Sequence, residues 1–481
     1  MPRIACDILV IGAGSGGLSV AAGASQMGAK VVLLEGGEMG GDCLNTGCVP
    51  SKALIAAAAM AQAQRQGAAF GVGQGAPQVD YAAVQAHVAQ VIATIAPVDS
   101  QERFESLGVT VLRHWGHFIS PTEVEAGDHV IRARRIVIAT GSTPFIPPVP
   151  GLGTVPYLTS DTLWSLTERP RHLLILGGGP IGLEMAQAHA RLGSEVTVIE
   201  TAHALGRDDP EAAQAVLAAV RASGVTIQDR TPLKSVAQDG DEIVIHTGDG
   251  GFREAALAAR TFRGSHLLVA TGRRPALRRL NLGAAGIETY NEEIRVDDSL
   301  RTSNRRVYAI GDVAGKGHFT HVAGYHAGVV IRSALFGLPS KIRTDHIPRA
   351  TYTDPELAQI GLTEAEARIR FGDRVEVARF DLKHNDRAVA QRRTDGFIKA
   401  VVHKGRPVGA TIVACDAGEH ANFWALALAN KLKMSQISAT ISPYPTMGEM
   451  GKRVAGAYFS PRLFDSRTVK TVVGLVQRWL P

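Results

Sequence analysis

The sequence predicts an α/β protein with an internal duplication, followed by a smaller α+β unit. Three observations carry this. A strand, glycine-loop and helix pattern occurs twice; each half later closes a strand with Ala-Thr-Gly; and from Thr351 onward strands mix with helices. The chain has 481 residues. At roughly 150 residues each that suggests about three domains, with a core large enough to need no staples.

The first copy opens with Ile8-Leu9-Val10-Ile11, an apolar run read as a buried strand, and passes into Gly12-Ala13-Gly14-Ser15-Gly16-Gly17. The second opens with Leu173-Leu174-Ile175-Leu176 and passes into Gly177-Gly178-Gly179-Pro180-Ile181-Gly182. An Ala-rich helical stretch follows each, Leu18 to Met27 and Leu183 to Leu192. A second apolar run then ends in an acid, Glu35 or Glu200, 18 residues past the third glycine in both copies. This context makes the G-x-G-x-x-G pattern specific and predicts two Rossmann-like dinucleotide-binding domains.

Gly12, Gly14 and Gly17, and Gly177, Gly179 and Gly182, are expected to let backbone approach a pyrophosphate at a helix N-terminus. Glycines that merely pack a tight turn are the alternative. Glu35 and Glu200 are expected to accept hydrogen bonds from adenosine riboses. A carboxylate at 200 repels a 2′-phosphate, so NADH is expected, with NADPH possible because Arg207 is nearby. The repeated strand ends are Ile136 to Gly141 and Leu267 to Gly272.

Between these motifs, Gly67 to Pro77 reads as a glycine-rich loop, and Asp80 to Leu107 as one or two long helices broken near Pro97. The expected division is 1–150, 151–275, 276–345 and 346–481. The final stretch, Val469, Val472, Val473, Val476 and Leu480, has helical apolar spacing. It is expected to dock on its own protein or a dimer mate, in preference to a membrane surface.

Composition excludes several classes. Four cysteines rule out a disulfide-scaffolded secreted protein, and 5% aromatics argue against stacking platforms for single-stranded nucleic acid. The net charge of +6 comes from 51 basic and 45 acidic residues, well mixed, so no attraction to nucleic acid or membrane is expected. No leader or membrane span is expected either, since stretches such as Ala53 to Ala61 are too short or too Ala-rich. The expected location is cytoplasmic.

Cys43 and Cys48 follow directly after the first nucleotide motif. On a regular helix five residues of rise would separate their Cα atoms by about 7.5 Å, beyond disulfide reach. Asn45 and Gly47 permit the distortion a bridge would need, and Pro50 suits the first turn of a helix through Lys52 to Ala61. Cys48 would then sit near that helix's N-terminus, where a thiolate is favoured. A redox-active pair is expected; two buried structural thiols and a metal site are the alternatives, although no His or Cys cluster lies nearby. Cys6 and Cys415 are expected in the core.

The run Gly40-Gly41-Asp42-Cys43-Leu44-Asn45-Thr46-Gly47-Cys48-Val49-Pro50-Ser51-Lys52 resembles the active-site signature of the class I pyridine nucleotide–disulfide oxidoreductases. That group includes dihydrolipoamide dehydrogenase, glutathione reductase and mercuric reductase. Ala139 to Ser142, Gly177 to Glu184, Ala270 to Pro275, Ala309 to Asp312 and Arg349 to Glu356 fall in family order, so the likeness spans essentially the whole chain.

The resemblance implies a glutathione-reductase-like fold with FAD in the first nucleotide site and a nicotinamide cofactor in the second. It also implies a C-terminal dimerisation domain and hence a homodimer. Gly41, Lys52, Thr140, Gly141, Ser142 and Asp312 are implied at the flavin, Asp312 on its ribityl chain, and Gly272 at the second site. Lys52 and Glu184 match positions that pair beside the flavin. Electrons would pass from NADH through FAD to a Cys43–Cys48 disulfide, with Cys48 facing the ring and Cys43 meeting the substrate. Pro180 stands where some relatives carry a bulky gate.

One departure is informative. Disulfide-reducing relatives carry a His five residues before a Glu, supplied across the dimer interface as acid/base; here Tyr444 precedes Glu449. Tyr ordinarily titrates near about 10 and His near about 6.5, so Tyr is a poor proton shuttle at neutral pH. Mercuric reductases are more similar at this point, with Tyr before Thr-Met and a Glu. Their C-terminal cysteine pair has no counterpart after Cys415, and their N-terminal metal-binding module is not expected here. His318, His321 and His384 are expected to be structural or surface residues.

The reading is a homodimeric FAD-dependent oxidoreductase that passes electrons to a thiol-reactive metal ion or a small electrophilic or disulfide acceptor, without a resident metal. The alternatives are a dihydrolipoamide dehydrogenase with an unusual base, and a flavoprotein redox sensor or electron carrier with a binding dithiol.

Overall fold

In the computed structural model, which describes residues 1–73, 75–248 and 259–480, the strands Arg3–Ile11 and Val31–Leu34 pair in parallel, Ile8 against Val31 through Ile11 against Leu34. Both apolar runs are buried throughout, as expected of parallel strands covered on both faces. Their sheet runs in the order Thr110–Leu112, Val31–Leu34, Arg3–Ile11, His129–Ile138, Glu123–Ala126, Gly116–Ser120, and Val307–Ala309 also pairs with His129–Ile138.

The duplication is real in three dimensions. His172–Leu176 leads through the second glycine loop into the helix Pro180–Arg191 and the parallel strand Glu195–Ile199, as Arg3–Ile11 leads into the helix Ser15–Gln26. Gly14 and Gly179 cap their helices at φ −78°, ψ 179° and φ −80°, ψ −179°. Gly12 and Gly177 match as well, at φ +107° and +110°.

The stretch after Asp80 is broken where Pro97 predicts, into the helices Tyr81–Ile95 and Gln101–Ser106 with a tight turn Ala96–Asp99 between them. Tyr81–Ser106 is nevertheless long and apolar enough by length and composition to cross a membrane, which corrects the expectation that no stretch is. It places Tyr81, Val88 and Phe104 in the interior. The glycine-rich segment begins with a helical turn, Gly67–Phe70, and its residue 74 lies outside the described residues.

These elements belong to one compact unit, residues 1–201 and 226–342; residues 202–225 and 343–481 form a second. The second unit has an antiparallel sheet in the order Pro348–Thr351, Glu356–Gly361, Arg406–Ala414, Phe397–His403, Val375–Asp381. The helices Ala417–Ala429 and Glu449–Phe464 cover it with Trp424, Met450 and Val454. Lys399, nearly buried, reaches Asp209 at 2.8 Å and Glu211 at 3.2 Å, which ties the helix Pro210–Ala222 to this sheet.

The expectation of a core Cys415 fails, and of the two docking sites expected for the last helix only the one on its own protein does. Cys415 is half-exposed just past the strand end, its thiol donating to Asp416 Oδ2 at 3.3 Å, whereas Cys6 is buried. The helix Arg467–Trp479 forms with the predicted spacing but buries none of its residues. Glu449–Phe464 and Ala417–Ala429 already cover the sheet, so no apolar surface of its own unit receives it.

Candidate functional site

The glycines divide by what surrounds them. A Cβ at Gly12 or Gly17 would overlap Ala139 O or Gly12 O, and one at Gly177 or Gly182 would overlap Ala270 O or Gly177 O. These four allow strand, loop and helix to meet. Gly14, Gly179, Gly141 and Gly272 instead face open space, with nothing within 4 Å of a built Cβ. Bare backbone beside open space at a helix N-terminus is what a pyrophosphate requires, so the residues fit the dinucleotides expected of them.

Both acids lie against their loops. Glu35 accepts from Ala13 N at 2.6 Å and Gly37 N at 2.7 Å; Glu200 accepts from Gly178 N at 2.7 Å and from the Thr201 hydroxyl at 3.3 Å. Each Glu35 carboxylate oxygen, with one backbone bond apiece, keeps a further lone pair for a ribose hydroxyl.

The cysteine segment is anchored to the first loop. Gly40 N donates to Ala13 O at 3.0 Å, and a Cβ at Gly41 would come within 2.7 Å of Gly14 Cα. A short helix Gly41–Asn45 ends at Thr46, whose carbonyl accepts from Trp164 Nε1 at 2.8 Å. Gly47 breaks the path at φ −117°, ψ −107°, and the helix Cys48–Gln66 begins. The distortion demanded by the spacing is therefore present, and it brings the Cys43 and Cys48 thiols, both free, close enough for each to shift the other's titration.

Their titrations are split. The hydrogen bond from Cys43 does most to lower the Cys48 thiol to about 6, helped by Thr320 and the Lys52 charge and opposed by burial. The same hydrogen bond, then burial, raises Cys43. Cys48 Sγ lies 3.3 Å from Thr320 Oγ1 at the first residue of the helix Thr320–Leu335. One turn along the Cys48 helix, Lys52 Nζ meets Glu184 Oε2 at 2.8 Å, and Glu184 is buried.

A polar chain runs beside the pair. Ser142 Oγ donates to Asp312 Oδ2 at 2.5 Å; Arg273 Nε donates to Ser142 Oγ and Arg273 Nη2 to Asp42 Oδ2, both at 2.8 Å. Burial pushes the Asp42 carboxyl up, offset by the Arg273 charge. Thr140 Oγ1 is committed to Ala276 O at 3.0 Å. Gly311 N donates to Nδ1 of buried His326 at 3.2 Å; burial lowers His326 to about 4, so it stays neutral and acceptor-competent. Pro180 occupies the first turn of its helix. His318 lies 3.8 Å from Glu293 and His321 stacks on Phe319.

Tyr444 and Glu449 belong to the second unit. Exposed Tyr444 donates its hydroxyl to Asp386 Oδ2 at 2.8 Å, and this bond raises its phenol above the ordinary value. Glu449 pairs with Arg453 at 3.5 Å.

Sequence reasoning missed Arg273, Thr320, Trp164 and His326. Arg273 lies inside a quoted motif, so attention to its charge beside Gly272 was the available signal. Nothing in the spacing links Thr320 to a cysteine 272 positions away.

A repeated dinucleotide-binding fold with a dithiol at a helix start defines a flavin-dependent disulfide oxidoreductase. Residues 6–327 match the family described as pyridine nucleotide-disulphide oxidoreductase, and residues 347–455 match its dimerisation domain. The chain belongs to this family, whose members use FAD and NAD(P)H. Mercuric reductase from Bacillus cereus is 34% identical over 447 residues, covering 92% of this chain and 70% of that protein. Mercuric reductase from Streptomyces lividans is 34% identical over 464 residues, covering 94% and 96%. Among solved structures, the Cu(II) complex of HOCl-induced flavoprotein disulfide reductase RclA from Escherichia coli has a TM-score of 0.83 at 26% identity, covering 95% of this chain and 99% of that one.

Proposed function

We propose that this oxidoreductase delivers electrons from NADH, by way of FAD and the Cys43/Cys48 pair, to a thiol-binding metal ion such as Hg(II) or Cu(II). The carrying observation is Tyr444 held by Asp386. Reducing a disulfide to two thiols consumes two protons as well as two electrons, whereas reducing a bound metal ion places no proton on the product. A phenol pushed above its ordinary value is a poor proton donor and acceptor near pH 7, and suits the second reaction better. The names of the mercuric reductases and of the Cu(II) complex support the same class of acceptor.

When bound, FAD supplies two-electron exchange between NADH and the cysteine pair. Gly12, Gly14, Gly17, Glu35, Gly41, Thr140, Gly141, Ser142 and Asp312 would hold it, and Gly177, Gly179, Gly182, Glu200 and Gly272 would hold the nicotinamide cofactor. Glu200 disfavours a 2′-phosphate, hence NADH. Cys48, ionised near neutral pH, and Cys43, once ionised, ligate the metal ion as thiolates. Lys52, paired with Glu184, supplies positive charge beside Cys48. Tyr444 and Glu449 meet the acceptor from the partner protomer of a homodimer.

In this reading, residues 1–150 and 276–345 serve FAD, 151–275 the nicotinamide and 346–481 the dimer, and the enzyme works in the cytoplasm. A disulfide acceptor is the second reading, favoured by the retained Glu449 and by the disulfide reductase RclA.

The test is NADH oxidation by the purified holoenzyme with Hg(II) or Cu(II) in excess small thiol, against lipoamide. Faster turnover with a metal ion supports the proposal. Faster turnover with lipoamide transfers the assignment to the disulfide reading, and one reduction equivalent without turnover would make the protein a sensor.

A further inference from the structure

The helix Arg467–Trp479 is capped by the Ser466 side chain, which accepts from Val469 N at 3.3 Å, yet no residue of it is buried. Val472, Val473, Leu475, Val476 and Trp479 are 41–81% exposed. At 3.6 residues per turn, Val469, Val472, Val473, Val476 and Leu480 form one stripe, with Leu475 and Trp479 on its flank. The opposite face carries Arg467, Lys470, Gln477 and Arg478, and the helix contains no acid. Leu463 and Phe464, exposed at the end of the preceding helix, add apolar surface.

A lone helix of this length is marginal in water, because few of its bonds are supported by packing. Here the uncovered valine stripe adds a hydration cost that only a covering surface removes. The match to the family's dimerisation domain covers residues 347–455 and does not reach this helix. Charge decides the occupant. A second copy of the helix packed on the stripe would cover the valines but would leave Arg467, Lys470 and Arg478, on the other side, with no acid to meet. An anionic lipid surface satisfies both faces at once: phosphates accept from Arg467, Lys470 and Arg478, the valines enter the acyl boundary, and Trp479 sits at the headgroup level.

We propose that this helix lies in the plane of an anionic phospholipid bilayer surface and tethers the enzyme there as a peripheral protein. Three cations and one short apolar stripe give reversible, salt-sensitive binding.

The experiment uses the full-length holoenzyme and vesicles of phosphatidylcholine, alone or with roughly one-third phosphatidylglycerol, at about 0.1 M and about 1 M salt. Flotation with the anionic vesicles at low salt, reduced at high salt, is expected. Val476→Asp, or Lys470→Glu with Arg478→Glu, should each weaken it by roughly tenfold or more while NADH oxidation is retained. Tryptophan emission should shift to shorter wavelength with anionic vesicles, and Trp479→Phe should remove the shift. Equal binding to both vesicle types, or none to either, would overturn the proposal. So would a smaller oligomer on Val476→Asp, which would give the stripe to a second copy.

Discussion

Cys48 Sγ and Thr320 Oγ1 lie 3.3 Å apart, each on the first residue of a different helix. Two positive helix ends thus converge on one sulfur, and a hydroxyl stands ready to donate to it. With the Cys43 hydrogen bond as the largest contribution, the thiol falls to about 6. Cys48 should therefore be thiolate above that pH and lose reactivity toward iodoacetamide as pH drops through it. Thr320→Ala should move the midpoint upward by about one unit, the worth of one hydrogen bond to a charged group. An unmoved alkylation profile would remove Thr320 from the site.

Cys43 carries the complementary prediction. Cys43→Ala deletes the main donor to Cys48, so the Cys48 midpoint should rise; Cys43→Ser keeps a hydroxyl donor and should raise it less. Both should lower acceptor turnover by roughly 10³-fold or more, as expected when a reacting nucleophile is removed. Flavin reduction by NADH should survive in both. Undiminished turnover in Cys43→Ser would sink the dithiol mechanism.

The glycine loops separate folding from binding. Gly14→Ala adds a methyl where nothing lies within 4 Å, at an ordinary φ of −78°. Stability should change by only about 1 kcal/mol, the scale of a helix-cap substitution. Flavin affinity should fall by roughly tenfold or more, because the methyl occupies the pyrophosphate's approach. Gly17→Ala drives a methyl into Gly12 O and should cost about 1–3 kcal/mol of stability instead. Urea midpoints and flavin content after dialysis measure the two effects. Equal flavin retention by Gly14→Ala and the parent would show that the open space is not the pyrophosphate site.

What was legible in the sequence is what repeats or has a short period. The twin loops announced themselves because Gly12 and Gly177 must take positive φ and each acid follows at a fixed distance. The break at Gly47 followed from the reach of a disulfide. Arg273 stood in a legible motif, but its partner did not: its contact with Asp42, like that of Thr320 with Cys48, depends on closing loops of 231 and 272 residues, and no local pattern encodes that. The docking of Arg467–Trp479 on its own protein failed for a related reason. Spacing shows that a face is apolar, while its cover depends on what else has already packed.

Lys52 and Glu184 meet at 2.8 Å with Glu184 only 6% exposed. Removing the ammonium should cost more than removing both charges, because a buried carboxylate then loses its cation. With the Lys52 side chain 38% exposed, Lys52→Met is expected to lower unfolding free energy by about 1–2 kcal/mol, and adding Glu184→Leu to recover part of it. Since the Lys52 charge also lowers the Cys48 thiol, Lys52→Met should raise the alkylation midpoint. Additive losses in the double variant would mean that the pair does not act as a unit.

The sharpest test of acceptor class is Tyr444. Its hydroxyl donates to Asp386, and that bond holds the phenol protonated well into the alkaline range. Tyr444→His would place an imidazole near the same carboxylate, which favours the protonated ring and raises its midpoint above the ordinary His value. Such a group exchanges protons near pH 7, so lipoamide turnover should rise by roughly 10²-fold. The gain should follow a bell-shaped pH profile absent from the parent. Turnover with a metal ion should not rise, since no proton is transferred to that product. Asp386→Asn in the same background should lower the imidazole midpoint and shift the acidic limb of the profile downward in pH. A Tyr444→His enzyme with unchanged lipoamide kinetics would place Tyr444 outside the reacting centre and leave the acceptor class to be decided by Cys43 and Cys48 alone.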